Sequence, residues 1–284
     1  MAVLYKYSGA GNDFVVLDGR TEDVGHYREA GVIRSLCSRK DGFQAADGRI
    51  GADGLMILSC ADGYDFSMEF YNPDGSSGMM CGNGGRCIVA FSSFIGLVPA
   101  DGKVFRFVAA DGEHTGEIVS SDGDVATVRL GMIDCSEYHS VLDGWFLNTG
   151  TRHFVKFVDD VESLDIESEG KRYRWDEKFA PLGVNANFVK RLADGSLKVR
   201  TFEKGVEAET LACGTGLTAC AIASWLDLYE SPCKGGFSLG GGGESVSIVL
   251  HARIADLKVD FKAPERADAA FKDVFLTGPA EHVR

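Results

Sequence analysis

The sequence predicts two pseudo-equivalent domains of mixed strands and helices that face one another. Three observations carry this expectation. The chain has 284 residues, and at about 100–200 residues per domain that length suits two domains. A short pattern, Cys-Gly-[Asn/Thr]-Gly, occurs twice, at Cys81-Gly-Asn-Gly84 and at Cys213-Gly-Thr-Gly216. Each copy follows a strand and a turn and opens an apolar helix, so a whole neighbourhood is repeated rather than a lone motif.

The elements follow in order. Leu4 to Leu17 holds two strand-like apolar runs around the turn Ser8-Gly-Ala-Gly-Asn12. Tyr27–Cys37 reads as a helix, and Leu55–Ser59 and Phe66–Tyr71 read as strands. Asn72-Pro-Asp-Gly-Ser76 is a turn by composition. The segment Met79-Met-Cys-Gly-Asn-Gly-Gly-Arg-Cys87 then leads into an apolar helix from Ile88 to Leu97 that stops at Pro99. Residues 103–133 give strands broken at Asp111-Gly112 and Asp122-Gly123.

The second half repeats the plan. Leu182-Gly-Val-Asn-Ala-Asn-Phe-Val189 has the Gly-to-Phe-Val spacing of Gly9–Val15. Leu197–Phe202 is a strand, and Leu217 to about Tyr229 a helix, followed by a glycine-rich turn. Ser245–His251 and Leu257–Phe261 alternate as strands do. A last strand at Val274–Pro279 is placed to return to the first domain. The expected boundaries are 1–121 with 272–284 for the N-terminal domain and 122–271 for the C-terminal one.

Composition narrows the function. Hydrophobic residues make up 45% and charged residues 25%, which is ordinary for a soluble globular protein. The formal charge is 29 − 42 = −13, with no Lys/Arg-rich block, so nucleic acid and membrane surfaces are poor partners. No basic segment followed by a long apolar run opens the chain, and no run approaches a membrane span, so a cytoplasmic location is expected. The eight cysteines, at 37, 60, 81, 87, 135, 213, 220 and 233, form no C-x-x-C pair. In a reducing compartment each is a small buried residue or a reactive thiol.

A cysteine at a helix start feels the positive end of the helix dipole, and its pKa falls to roughly 3.5–7.5 from about 8.5. The Gly-Asn and Gly-Thr amides that follow are donors without an intrahelical acceptor, suited to a carboxylate. Two such helix starts set against one amino acid would place a thiolate on one face of the α-carbon and a thiol on the other. One removes the α-proton, the other supplies a proton to the opposite face, and the stereocentre inverts. Amides and dipoles must then stabilise the developing carbanion in a site closed to water. Other readings are weaker. A lone Cys-Gly-x-Gly is often a tight turn with a packing cysteine. A disulfide between the pair would be an oxidised, inactive form. Zinc is disfavoured by the spacing. A hydrolase using His153 leaves the second cysteine unexplained.

In these residues the chain resembles the diaminopimelate epimerase family along nearly its whole length. The segments are Gly9–Phe14, Tyr71–Ser76, Met80–Arg86, Thr149–His153, Gly183–Phe188 and Glu203–Gly216, specific when taken together in this order. The resemblance implies an α+β fold of two pseudo-symmetric domains, each a mixed or antiparallel sheet or barrel around a central helix, with the active site in the cleft between them. It implies interconversion of LL- and meso-diaminopimelate, on the route to lysine and peptidoglycan, without pyridoxal phosphate or metal. Cys81 and Cys213 match the acid/base pair. Gly82, Asn83, Gly214 and Thr215 match positions that hold the reacting end of the substrate. Asn12, Asn72, Asn185 and Glu203 match positions at its distal end, and His153 and Glu203 match polar groups beside the thiols. Cys87 and Cys220 are expected to pack.

Two departures stand out. Where the family commonly has Glu-Arg, this chain has Glu203-Lys204, replacing a two-pronged grip on the distal carboxylate with a point charge. Where it often has Gly-Asn-Pro-His, this chain has Gly150-Thr-Arg-His153, with Arg152 as a candidate compensation. Both changes are read as touching the distal end. The alternatives are a racemase of another amino acid on this fold, favoured by Lys204 and Thr151, and a non-catalytic amino-acid-binding relative, which the two thiols disfavour. The expected partner is a small-molecule amino acid; a homodimer is compatible with the sequence but not required by it.

Overall fold

The computed structural model describes residues 2–78, 81–230, 243–266 and 269–284. Met79 and Met80 at the head of the first cysteine motif, Cys233, and most of the glycine-rich turn after Tyr229 lie outside the described residues. The chain divides into two compact units, Met1–Leu130 with Gly278–Arg284, and Gly131–Thr277. The fold is α+β, and each unit is a strand ring around one helix.

The first half supplies β1 (Tyr5–Gly9), β2 (Asn12–Asp18), α1 (Ala30–Cys37), β3 (Gly54–Ser59), β4 (Phe66–Tyr71), α2 (Gly82–Phe94), β5 (Val104–Ala109), β6 (Gly112–Asp122) and β7 (Val125–Gly131). The second supplies β8 (Glu137–Val141), β9 (Gly144–Asn148), β10 (Arg152–Phe157), α3 (Ile166–Arg174), β11 (Asn185–Arg191), β12 (Leu197–Glu203), β13 (Ala208–Thr210), α4 (Gly214–Glu230), β14 (Ser245–His251), β15 (Asp256–Lys262) and β16 (Lys272–His282).

In the first unit β1 to β7 lie side by side in chain order, and the end of β16 joins both edges. Tyr7 pairs with His282 on one side, and His282 N–H donates to Asp124 O at 2.8 Å on the other. Eight strands thus close on themselves. α2 fills the ring, with every residue from Gly82 to Ser92 buried, as a helix buried on all sides must be. Outside, α1 covers Val15, Leu17, Leu55 and Ile57 with Ile33 and Cys37. β2 is therefore covered on both faces, which is why Asp13–Leu17 is buried without alternation.

In the second unit the order is β8-β9-β10-β11-β12-β14-β15-β16, with β13 added beside β12. Cys135 and Phe271 exchange two backbone hydrogen bonds, 3.0 and 2.9 Å, across the remaining gap. α4 packs inside against β9, β10, β11, β12, β14 and β15. α3 covers an outer aromatic cluster of Phe146, Phe154, Tyr173, Phe179, Phe188 and Phe202.

The pairing sense repeats step for step. From β1 to β7 it runs antiparallel, parallel, antiparallel, parallel, antiparallel, antiparallel. From β9 to β16, with β13 set aside, it is the same. In each unit the first parallel crossover carries the outer helix and the second carries the inner one. This corrects one sequence-based pairing. The counterpart of the β1–β2 turn is the β9–β10 turn at Thr149–Thr151, whereas residues 183–189 enter β11, the counterpart of β3. A glycine turn feeding a strand is local chemistry that recurs at non-equivalent places.

Three elements also differ from expectation. The Tyr27–Cys37 helix is a short 3-10 turn, Gly25–Arg28, followed by α1. α2 begins at Gly82, six residues ahead of Ile88, because burial overrides the poor helix propensity of three glycines. The stretch 134–181 gave no sequence signal yet holds β8, β9, β10 and α3. α3 is polar and buries only Ile166, Gly170, Tyr173 and Arg174, so its apolar period is faint. Among the described residues no helix is long and apolar enough to cross a membrane.

Candidate active site

Cys81 is the N-cap of α2, in extended conformation, and its Sγ accepts the Gly84 N–H at 3.2 Å. Gly85 N–H donates to Cys81 O at 2.8 Å and starts the helical ladder. The β1–β2 turn, with Ala10 and Gly11 both at positive φ, is pressed against this helix start. A Cβ on Gly9 would lie 2.6 Å from Asn83 O, so glycine is required for the approach.

The contact places Asn12 on Asn83: Asn83 Nδ2 donates to Asn12 Oδ1 at 2.7 Å, and Asn12 Nδ2 donates to Asp53 at 3.2 Å. Arg39 spans Asp53 and Asp13 at 2.6 and 3.0 Å. From inside the ring Arg86 donates to Asn83 Oδ1 at 2.9 Å.

The start of α4 is built on the same plan with other side chains. Leu217 N–H donates to Cys213 O at 2.8 Å, and Cys213 Sγ lies 3.5 Å from Thr215 Oγ1. Thr149 Oγ1 donates to Thr215 O at 2.8 Å. The Thr215 hydroxyl also meets Thr151 Oγ1 and His153 Nε2, both at 3.0 Å, and Thr151 Oγ1 lies 2.8 Å from His153 Nε2. Behind the imidazole, Asn187 Nδ2 reaches His153 Nδ1 at 3.2 Å while donating to Phe154 O at 3.0 Å. Thr201 Oγ1 donates to Asn187 Oδ1 at 2.9 Å, which orients that amide.

Asn187 thus donates to Nδ1, so the His153 proton sits on Nε2 and points at the threonine hydroxyls. His153 is fully buried, and loss of hydration lowers its pKa to about 3. It is a neutral hydrogen-bond donor at neutral pH, not a cation.

The remaining residues named from sequence are placed as follows. Gly82, Asn83, Gly214 and Thr215 form the first turns of α2 and α4 beside the two cysteines. Asn72 begins the turn after β4, its Nδ2 donating to Ser76 Oγ at 3.0 Å. Asn185 is 5% exposed and closes a bridge. Its Nδ2 donates to Arg152 O at 3.0 Å, and its Oδ1 accepts Lys204 N–H at 2.8 Å. Glu203 ends β12 half-buried, and burial raises its carboxyl pKa. The Lys204 side chain is exposed.

Thr151 sits in the Thr215–His153 cluster beside Cys213, and its Oγ1 also accepts Asn185 Nδ2 at 3.4 Å. Arg152 points to the other face of β10, its guanidinium 3.4 Å from Phe179 O and 5.1 Å above the Phe146 ring, and so does not replace the amide that Thr151 lacks. Cys87 and Cys220 are buried thiols whose pKa is pushed up by burial, as expected of packing residues.

Sequence reasoning missed Asp53, Arg39, Arg86, Thr149, Asn187 and Thr201. Asn187 had a signal: two residues after Asn185 on a strand, it shares that residue's face. Asp53 and Arg39 had none, because they meet Asn12 only through the α1–β3 loop.

The sequence profile of the diaminopimelate epimerase family matches residues 4–133 and 145–253. A diaminopimelate epimerase of Flavobacterium psychrophilum is 36% identical over 281 residues, covering 99% of this chain and 97% of its own. Those of Chlorobaculum tepidum and Aquifex aeolicus are each 40% identical, over 77% and 78% of this chain and 81% of their own. Among solved structures, a PhzF-family phenazine biosynthesis protein of Bacillus anthracis superposes with TM-score 0.69 at 11% identity, over 99% of this chain and 96% of its own. A probable proline racemase of Agrobacterium radiobacter gives TM-score 0.61 at 16% identity, over 99% and 91%. These two likenesses concern the fold.

Proposed function

This chain belongs to the diaminopimelate epimerase family, and on that premise we propose that it interconverts LL- and meso-2,6-diaminopimelate by proton transfer between the substrate α-carbon and two cysteines, Cys81 and Cys213. It acts as an isomerase in lysine biosynthesis, with a cytoplasmic location. The observation that carries the reading is the repeated helix start: both cysteines immediately precede a helix that fills its unit, so each thiol lies at the positive end of a helix dipole.

In one direction a thiolate takes the α-proton and becomes a thiol. The electron pair left on the α-carbon is delocalised into the substrate carboxylate, whose charge the helix starts at Gly82–Asn83 and Gly214–Thr215 stabilise. The opposing thiol then gives its proton to the other face and becomes the thiolate. The reverse direction exchanges the roles. His153 supports Cys213 as a neutral donor through Thr215, and the Asn12–Asn83 pair stiffens the first turn beside Cys81. Asn185 acts at the distal end by holding the Lys204 backbone, and Asn12, Glu203, Lys204 and Asn72 form the rest of that end.

The test is proton exchange in deuterium oxide. Wild type is expected to place deuterium on the α-carbon of diaminopimelate while epimerising it. Cys81→Ala and Cys213→Ala are each expected to lose at least about 10³-fold in epimerisation. Faster turnover of another amino acid would reassign the substrate, and ligand binding without exchange would remove the enzymatic reading.

A further inference from the structure

We propose that Arg86 is a positioning residue whose charge holds Cys81 as a thiolate in the resting enzyme; this rests on the reading of Cys81 as an acid/base group. Arg86 is 0% exposed. A guanidinium stays protonated in proteins, and a buried charge is costly without an opposite charge or full hydrogen bonding. Among the described residues its hydrogen bonds go to three neutral oxygens: Pro279 O at 3.2 Å, Gly82 O at 3.2 Å and Asn83 Oδ1 at 2.9 Å. Among the described residues, the groups in its electrostatic reach that can become anionic are Cys81 and Cys87.

Cys87 is itself fully buried, and burial pushes its thiol far up, so it stays neutral. Cys81 is half-buried, caps the helix and already accepts the Gly84 N–H, which leaves it as the anion that answers Arg86. Among the described residues, the other elements packed on α2 offer no rival. Asp13 of β2 and Tyr7 of β1 act on Cys87, and Asp13 is bound to Arg39 at 3.0 Å. β3 carries no titratable side chain, and β6 meets the helix with Gly116 against Val89.

At the matching position of the second motif, five residues after the cysteine, stands Thr218, whose hydroxyl donates to Gly214 O at 3.0 Å. The same fold therefore holds a cation behind one cysteine and a hydroxyl at the matching place behind the other. Cys81 is the resting thiolate and Cys213 the resting thiol.

The experiment is the pH dependence of iodoacetamide alkylation, read separately at Cys81 and Cys213 by peptide mass spectrometry. In wild type the Cys81 midpoint is expected at least about one pH unit below that of Cys213. Arg86→Met should raise the Cys81 midpoint by about 1–2 units and leave Cys213 in place, and Arg86→Lys should restore most of the difference. Coincident wild-type midpoints, or a lower one at Cys213, would overturn the proposal without any variant. So would an unmoved Cys81 midpoint in a folded Arg86→Met protein. Alkylation reads ionisation rather than turnover, so a failed deuterium exchange would remove the enzymatic reading and leave this result standing.

Discussion

Around Cys81 the side chains that brace the helix start are charged: Arg86 from within, and Arg39 with Asp53 behind Asn12. Around Cys213 the described residues hydrogen-bonded to the helix start and to one another are neutral: Thr149, Thr151, Thr215, an uncharged His153, and Asn187 held by Thr201. The backbones of the two starts are alike, down to the 2.8 Å bond from the fourth residue back to each cysteine carbonyl. Repetition has kept what a helix dipole and its amides need, which is main-chain geometry. It has not kept the side chains, which set how readily each thiol ionises. Under the proposed reaction one thiol is protonated while the other is not, and unlike surroundings on like scaffolds suit that requirement.

The largest effect that could break this contrast concerns acid. The His153 pKa of about 3 lies below the 6.5 of an unperturbed histidine. As pH falls, the unfolded chain therefore binds a proton before the folded one does. Stability from this group is complete above about pH 6.5 and declines toward pH 3 by about 1.4 kcal/mol per unit. Urea midpoints between pH 7 and 4 should fall less steeply in His153→Gln than in wild type. Equal slopes would mean that the imidazole is charged in the folded protein and that the Cys213 surroundings are not neutral.

A smaller effect compares the close approaches to the two helices. A Cβ at Gly9 meets the Asn83 backbone at 2.6 Å, whereas one at Gly216 meets Asn187 Oδ1, a side-chain atom, at 2.7 Å. Gly9→Ala is expected to cost about 1–3 kcal/mol, and Gly216→Ala less, because a side chain yields more easily than a backbone. Denaturant unfolding of both variants checks the order; a reversed order would place the stiffer packing beside Cys213.

The smallest concerns the distal end. Lys204→Arg should lower KM for diaminopimelate by several-fold, less than about 1.4 kcal/mol, through a two-pronged contact. An unchanged KM would show that this exposed side chain does not reach the carboxylate.

Much of this was legible in the residues. The doubled Cys-Gly-x-Gly showed the two helix starts, and the glycine turn at Gly9–Asn12 marked the β1–β2 hairpin. What stayed hidden depends on contacts between distant residues. Asp53 and Arg39 look like ordinary surface charges until the α1–β3 loop sets them behind Asn12. Thr151 looks like an isolated turn residue until the β9–β10 turn sets its hydroxyl on Thr215, His153 and Asn185. α3 is hidden because its buried face is narrow, with Gly170 packed directly on Phe202.

Neighbouring residues are enough to specify the family, the two Cys-Gly-x-Gly motifs and the turns beside them, because helix starts and glycine turns are local. Tertiary structure alone decided the environment of each thiol. Burial makes His153 neutral, encloses the charge of Arg86, and turns Asn185 into a clasp between β10 and the Lys204 loop. Those properties belong to solvent exclusion and to partners tens of residues away, which no local pattern encodes.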